Sequence, residues 1–284
     1  MRTSPPTTRV LQVLDFLVAA GGKRFGLSQL ARELDLSKPT CLGILTAMTD
    51  GGYLLRDPVT KTYGLGPALI TAGRVAQEGF TAAGLARPML EELAERYACV
   101  CSASAVVGEQ IVVLERTGPG MAGQRYPFAP PVGLMYVLWG PDADFERWLA
   151  KPPTLPVKLN RPRLRQVGAE CRERGYLVES LTLAGVRLHS LMAGVAAYDL
   201  PAEVRDLVGE MVSNLGERFY LAEDLAPRKK QPVNFIAAPT FNALGAQELV
   251  LTLSVGMTIT GAEIARRGQA LTEIAAKVTA AVGG

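Results

Sequence analysis

SQLARELDLSKPTCLGILTAMTDGGYLLRDPVTKTYGLG, residues 28–66, reads as two short helices joined by a tight turn and followed by a compact β-hairpin. Leu27, Leu30, Ala31 and Leu34 fall at i, i+3, i+4 and i+7, so the first helix has one apolar side, and Ser28 is placed to cap it. After Asp35-Leu36, Ser37 offers a second N-cap, and Pro39 fits a first turn whose amide has no helical partner. Cys41, Ile44, Leu45 and Met48 repeat the apolar spacing, which turns Lys38, Thr40, Gly43, Thr46 and Ala47 outward. Gly51-Gly52 ends that helix, and Tyr53–Arg56, Asp57-Pro58 and Thr62–Leu65 supply strand, turn and strand. The pattern is that of a winged helix-turn-helix, with the outward helix residues facing a DNA major groove and Arg56, Lys61 and Thr62 within reach of phosphates.

Working outward, a helix from about Thr8 to Ala20 precedes this unit, with Val10, Leu14, Leu17 and Val18 as its packing face. Residues 1–66 carry eight Lys and Arg against five acids, whereas the whole 284-residue chain has 30 against 27. The entire positive excess of three charges therefore sits in the segment that would meet phosphates. No stretch is apolar for long enough to span a bilayer, and the start, MRTSPPTTR, lacks a signal-peptide apolar core, so a cytoplasmic protein is expected. The cysteines, Cys41, Cys99, Cys101 and Cys171, are too scattered for a disulfide framework and read as buried, inert thiols. With a single histidine, His189, no metal site is expected, and no cofactor is implied.

Residues from Pro67 to about Ala98 are helix-prone, with breaks expected near Gly79 to Gly84 and again at Pro88. The rest alternates strands and helices. Cys99–Val107 and Gln110–Arg116 form an antiparallel hairpin across Gly108-Glu109. Helices follow near Val132–Trp139, Asp142–Leu149 and Pro162–Arg174, then a strand at Tyr176–Glu179. Val233–Thr240 and Glu248–Val255 pair as strands, and Ala262–Val282 closes the chain as a helix. An antiparallel sheet with helices against it is an α+β sandwich, a form that often encloses a small-molecule cavity.

TTRVLQVLDFL, SQLARELDLSKPT, DGGYLLRDPVTKTYGLGPAL, RPMLEELAERY, CRERGYLVES and FIAAPTFNALG occur in this order, and the chain thereby resembles the IclR family of bacterial transcriptional regulators. The resemblance implies a winged helix-turn-helix DNA-binding domain at residues 1–66, a linker helix at 67–84, and a GAF-like effector-binding domain at 85–284. It also implies a homodimer or dimer of dimers on a roughly palindromic stretch of double-stranded DNA, controlled by a small-molecule effector. Arg9 and Gln12 on the first helix, Lys38 and Thr40 on the recognition helix, and Arg56 and Lys61 on the wing match family positions that contact DNA; Thr46 and Thr62 join them from the outward faces. Relatives often carry an aromatic residue and an arginine where this chain has Leu42 and Gly43. Glycine inside a helix costs about 1 kcal/mol relative to alanine and brings no side chain to a base, so altered base readout is expected.

In the effector domain, the small-residue segment whose amides hold a ligand carboxylate in relatives corresponds to Ala129-Pro130-Pro131-Val132-Gly133, and two prolines remove two donors. Ala129, Pro131, Gly133, Glu179, Phe235 and Ser254 are the expected effector residues. Glu179 would repel a carboxylate placed beside it, and Phe235 stands where a cysteine is usual. These features favour an aromatic or larger, mainly apolar metabolite with a hydroxyl or amine near Glu179. An insertion of about 183–232 replaces a short loop, and within it Val204, Leu207, Val208, Met211, Val212 and Leu215 form an amphipathic stripe. His189, also in the insertion, reads as an exposed or core histidine. No nucleophile elbow, phosphate loop or pair of spaced catalytic carboxylates supports an enzyme. The remaining alternatives are a degenerate regulator acting through protein partners and, further off, a small-molecule enzyme.

Overall fold

The computed structural model describes residues 4–119, 122–154, 158–181 and 218–283. Most of the insertion, with its amphipathic stripe and His189, lies outside the described residues. The chain divides into two compact units, Met1–Gly79 and Phe80–Gly284.

In the first unit α1 (Pro5–Ala19), α2 (Leu27–Glu33) and α3 (Lys38–Asp50) enclose a core of Val13, Leu17, Leu30, Cys41, Leu45 and Leu54. α1 starts earlier than expected because Pro5 and Pro6 occupy its first turn, where a missing amide costs nothing. Its Val18 points to solvent instead of the core. Ser28 does not cap α2. Phe25–Gly26 (β1) pairs with Tyr63 and Thr62, so the chain leaves a strand directly into the helix and Gly26 is the N-cap. Ser37 does cap α3, its hydroxyl accepting from the Thr40 amide at 3.3 Å. β2 (Leu54–Arg56) and β3 (Thr62–Leu65) complete a three-stranded sheet in the order β1-β3-β2, and α4 (Ala68–Glu78) follows.

The second unit begins with α5 (Thr81–Tyr97), which runs through both Gly84 and Pro88. The break falls only at Gly79–Phe80. Gly84 and Pro88 lie on the exposed side of α5, so the carbonyl deprived of its helical partner can bond water, while Ala82, Ala83, Ala86, Leu90 and Leu93 hold the opposite side against the sheet. The sheet comprises β4 (Val100–Val107), β5 (Gln110–Arg116), β6 (Arg125–Pro127), β7 (Leu177–Glu179), β8 (Lys230–Phe241) and β9 (Gln247–Thr260). All neighbours in the order β6-β5-β4-β9-β8-β7 are antiparallel.

β8 and β9 extend past Pro232 and Gly256, where strands were expected to stop. At Pro232, β7 no longer flanks β8, so that edge needs no amide and tolerates proline. The helix expected over Val132–Trp139 shrinks to a 3-10 turn at Leu134–Tyr136, because Pro130 and Pro131 cannot donate and Gly133 enters the left-handed region at φ 107°.

One face of the sheet packs Cys101, Ala103, Leu251, Leu253 and Ile236 against α5 and the closing helix α8 (Gly261–Ala281). Leu177, Ala237 and Val250 on the other face join a second core with α6 (Asp142–Leu149) and α7 (Arg161–Arg174). The architecture is α+β, two helical layers enclosing an antiparallel sheet.

Candidate nucleic-acid interface and effector cavity

The first unit presents an exposed cationic rim around α3. Arg9 and Gln12 are exposed on α1, and Lys38 and Thr46 are exposed on α3. Arg56 and Lys61 are exposed on the wing, whereas Thr40 and Thr62 are half-buried. Thr40 is partly committed to its own turn, with its hydroxyl 2.8 Å from that of Ser37. The wing tip is held by Asp57, whose carboxylate accepts from the Val59 and Thr60 amides, each at 2.8 Å. Those bonds, that to Thr60 first, keep the Asp57 carboxyl below its usual range. Arg56 rests its guanidinium over the Tyr63 ring, 5.8 Å from the centroid, and the Lys61 ammonium donates to the Pro58 carbonyl at 2.5 Å. Both cations are thus oriented without a carboxylate partner among the described residues, which leaves their charge available to phosphate.

In the second unit the sheet face toward α6 and α7 carries a cavity of about 100 Å³. Its floor follows from strand register. Ser102 on β4 is opposite Arg116 on one side and Thr252 on the other, while Ser254 is opposite Phe235, which is opposite Glu179. A continuous polar row therefore crosses β5, β4 and β9 on a face that is otherwise core. Pro131, Gly133, Glu179, Phe235 and Ser254 of the expected residues line this cavity. Ala129 does not: it is buried outside the wall.

The carboxylate-binding amides expected at residues 129–133 are also mostly gone. Two positions are prolines, and the Val132 amide donates to the Ala129 carbonyl at 2.9 Å. Gly133 has a different part. A Cβ there would sit 2.7 Å from the Phe128 ring and 3.1 Å from the Trp148 nitrogen, so the turn requires glycine on both steric and dihedral grounds.

The cavity's charges revise the expectation for Glu179 more strongly. Arg218 forms a salt bridge with it, and both are largely buried. Burial pushes the Glu179 carboxyl above its usual range and Arg218 pulls it partly back. Glu179 is therefore a neutralised partner instead of a free anion that repels acids. Arg116 also lines the cavity; its Nε donates to the Pro119 carbonyl at 2.8 Å, and it has no carboxylate partner among the described residues. Among the described residues, Arg116 is the wall cation that no carboxylate meets, and it lies beside the hydroxyls of Ser102, Thr252 and Ser254. Ser104 is 2.6 Å from the hydroxyl of Tyr136, whose pKa burial raises.

Ser102, Ser104, Arg116, Tyr136, Thr252 and Arg218 were not among the expected site residues. A signal existed in CSASA and LTLSV, where apolar residues alternate with hydroxyls. Both parities turn out buried apart from the half-buried Ser254, and a buried hydroxyl row is the informative exception to apolar interiors.

Cys41, Cys101 and Cys171 are buried as expected, but Cys99 is half-buried with its sulfur 4.0 Å from that of Cys101. The bond from the Cys101 thiol lowers the Cys99 pKa, with a further contribution from Arg267. Among the described residues no group of three or more side chains is arranged to hold a metal ion. No described helix is long and apolar enough to cross a membrane.

Residues 6–58 match the IclR helix-turn-helix domain. Over 187 residues the chain is 25% identical to the HTH-type transcriptional regulator XynR of Escherichia coli K12, an alignment spanning 61% of this chain and 73% of that protein. The fold is similar to that of the Thermotoga maritima IclR, with a TM-score of 0.64 and 16% identity over 98% of each chain. It is also similar to an IclR homologue from Microbacterium hydrocarbonoxydans solved with 4-hydroxybenzoate, with a TM-score of 0.61 and 18% identity over 98% of each chain. Residues 6–58 thus carry an IclR-type helix-turn-helix domain, the 187-residue alignment is to an HTH-type transcriptional regulator, and the fold is similar to those of solved IclR-type proteins.

Proposed function

We propose that this regulator binds double-stranded DNA through α3 and the wing, and that a small organic acid in the cavity of the second unit controls that binding. The observation that carries the reading is the unpaired Arg116 beside a buried hydroxyl row, with the other cavity cation already neutralised by Glu179. Arg116 is half-buried at the cavity wall, and an anionic ligand gives it a charge-assisted partner while the hydroxyls orient that ligand. The cavity size suits a molecule of about one ring. The 4-hydroxybenzoate held by the Microbacterium homologue, an aromatic acid, has this chemistry. Pro131, Gly133 and Phe235 supply the apolar walls, and Ser254 supplies a hydroxyl.

Binding of a two-fold operator calls for paired readers, so the working form is a homodimer or a dimer of dimers in the cytoplasm. A thermal-shift screen of small aromatic acids, amines and neutral analogues on the full chain tests the sensor. At about 100 times its dissociation constant a true ligand adds roughly 2.7 kcal/mol to stability, which raises Tm by several degrees. The expected hit is an acid whose shift disappears in Arg116→Met and which changes affinity for DNA. A screen in which amines or neutral analogues stabilise equally, or in which Arg116→Met keeps the acid's full shift, overturns the assignment.

A further inference from the structure

The outward face of α3 has an unusual composition for a surface that meets DNA. Leu42 is 45% exposed, and Gly43, Thr46 and Ala47 are exposed beside it. At i and i+4 these residues form two rows, Leu42 with Thr46 and Gly43 with Ala47. Beyond Lys38 at its first turn, the helix through Asp50 contains no Arg, Lys, Asn or Gln, the side chains that make bidentate patterns with guanine or adenine. What the face offers is the methyl groups of Leu42, Thr46 and Ala47, together with the Thr46 hydroxyl, which has no partner among the described residues.

Gly43 adds an independent point. A Cβ there would meet nothing within 4 Å, so packing inside the unit does not require glycine, although glycine weakens the helix. A missing side chain at that position serves close approach to a surface outside the chain. The exposed Lys38, Arg56 and Lys61 indicate that this surface is polyanionic.

In the major groove the only apolar group on any base edge is the C5 methyl of thymine. We infer that α3 specifies its operator by packing Leu42, Thr46 and Ala47 on thymine methyl groups, while Lys38 and the wing cations hold the helix on the phosphates. The operator half-site is then rich in A·T pairs at the positions beneath α3. This rests on the DNA-binding reading above.

The test starts by selecting duplexes from a random pool with the full chain. Each thymine of the enriched half-site is then replaced by uracil, which keeps every hydrogen-bonding group and removes only the methyl. Selection should return half-sites with thymines under α3, and each contacted methyl should be worth about fourfold in affinity. Leu42→Ala, a change at an exposed position, should abolish the uracil penalty at one thymine and keep it at the others. An enriched site with a G·C core, or one whose thymines can all become uracil without loss, overturns the inference while leaving DNA binding intact. A pool from which no duplex is enriched overturns DNA binding itself and the inference with it.

Discussion

The outer face of α3 and the inner face of the sheet in the second unit are built by opposite rules. The outer face of α3 is exposed yet presents Leu42, Gly43 and Ala47, whereas the inner face of the sheet is buried yet presents Ser102, Ser104, Thr252 and the Arg218–Glu179 pair. Each inverts the ordinary placement of apolar and polar residues: α3 leaves a leucine in water, and the sheet buries hydroxyls and an ion pair. The inversions also respond differently to mutation. Substitutions on α3 should change binding with little effect on stability, whereas those in the cavity should change stability first.

The largest effect is expected at the buried ion pair. Glu179→Leu leaves Arg218 buried and unpaired and should cost about 3–5 kcal/mol in denaturant unfolding, most of it recovered in Glu179→Leu/Arg218→Met. Glu179 also gives a pH signature. Its carboxyl is raised above 4.5 in the folded chain, so between that value and the raised one the folded state keeps a proton that the unfolded state has lost. Stability contributed by this residue therefore falls as pH rises through that window. The double variant should lack this contribution, and a pH dependence identical to that of the parent would dismiss the assignment.

Next comes Gly133→Ala, which places a Cβ against Phe128 in a left-handed turn and should cost about 1–3 kcal/mol, read as a lower Tm. The wing is expected to leave folding unchanged. Arg56→Ala/Lys61→Ala should weaken operator and random DNA alike and reduce the salt dependence of binding by about two units. An unchanged slope removes the wing from the interface. The smallest change, Gly43→Ala, should stabilise α3 by up to about 1 kcal/mol, because its Cβ meets nothing, and should still weaken operator binding. A loss of stability there would mean that the α3 face is packed after all and would break the comparison with the cavity.

How much was legible in the residues differs between the same two regions. The helix-turn-helix could be read locally because its spacings, the Ser37 cap and the Asp57-Pro58 turn all act over a few residues. The β4–β5 hairpin was equally legible, since Gly108-Glu109 sets its register. Gly84, Pro88, Pro232 and Gly256 misled because punctuation by glycine and proline is only a local preference. Packing of α5 on the sheet, and a β8 edge with no neighbour at Pro232, set that preference aside. Of the cavity, Pro131, Gly133, Glu179, Phe235 and Ser254 could be carried over by resemblance. Arg116, Arg218 and the hydroxyls of β4 and β9 come from segments distant in sequence, and no local pattern states which strands lie side by side.

The sequence by itself determined the helix-turn-helix unit: its helices, its turn, its wing, and the concentration of the positive excess within residues 1–66. Those properties follow from short-range periodicity and from charge; the pairing of β1 with β3, which makes Gly26 and not Ser28 the cap of α2, came from tertiary contact. Only the tertiary structure decided the character of the cavity. Strand order brings Ser102 between Arg116 and Thr252, and the chain's return at Arg218 places a cation on Glu179. The sign of a buried site is set by the sum of charges brought together in space, and Glu179 alone pointed to the opposite sign.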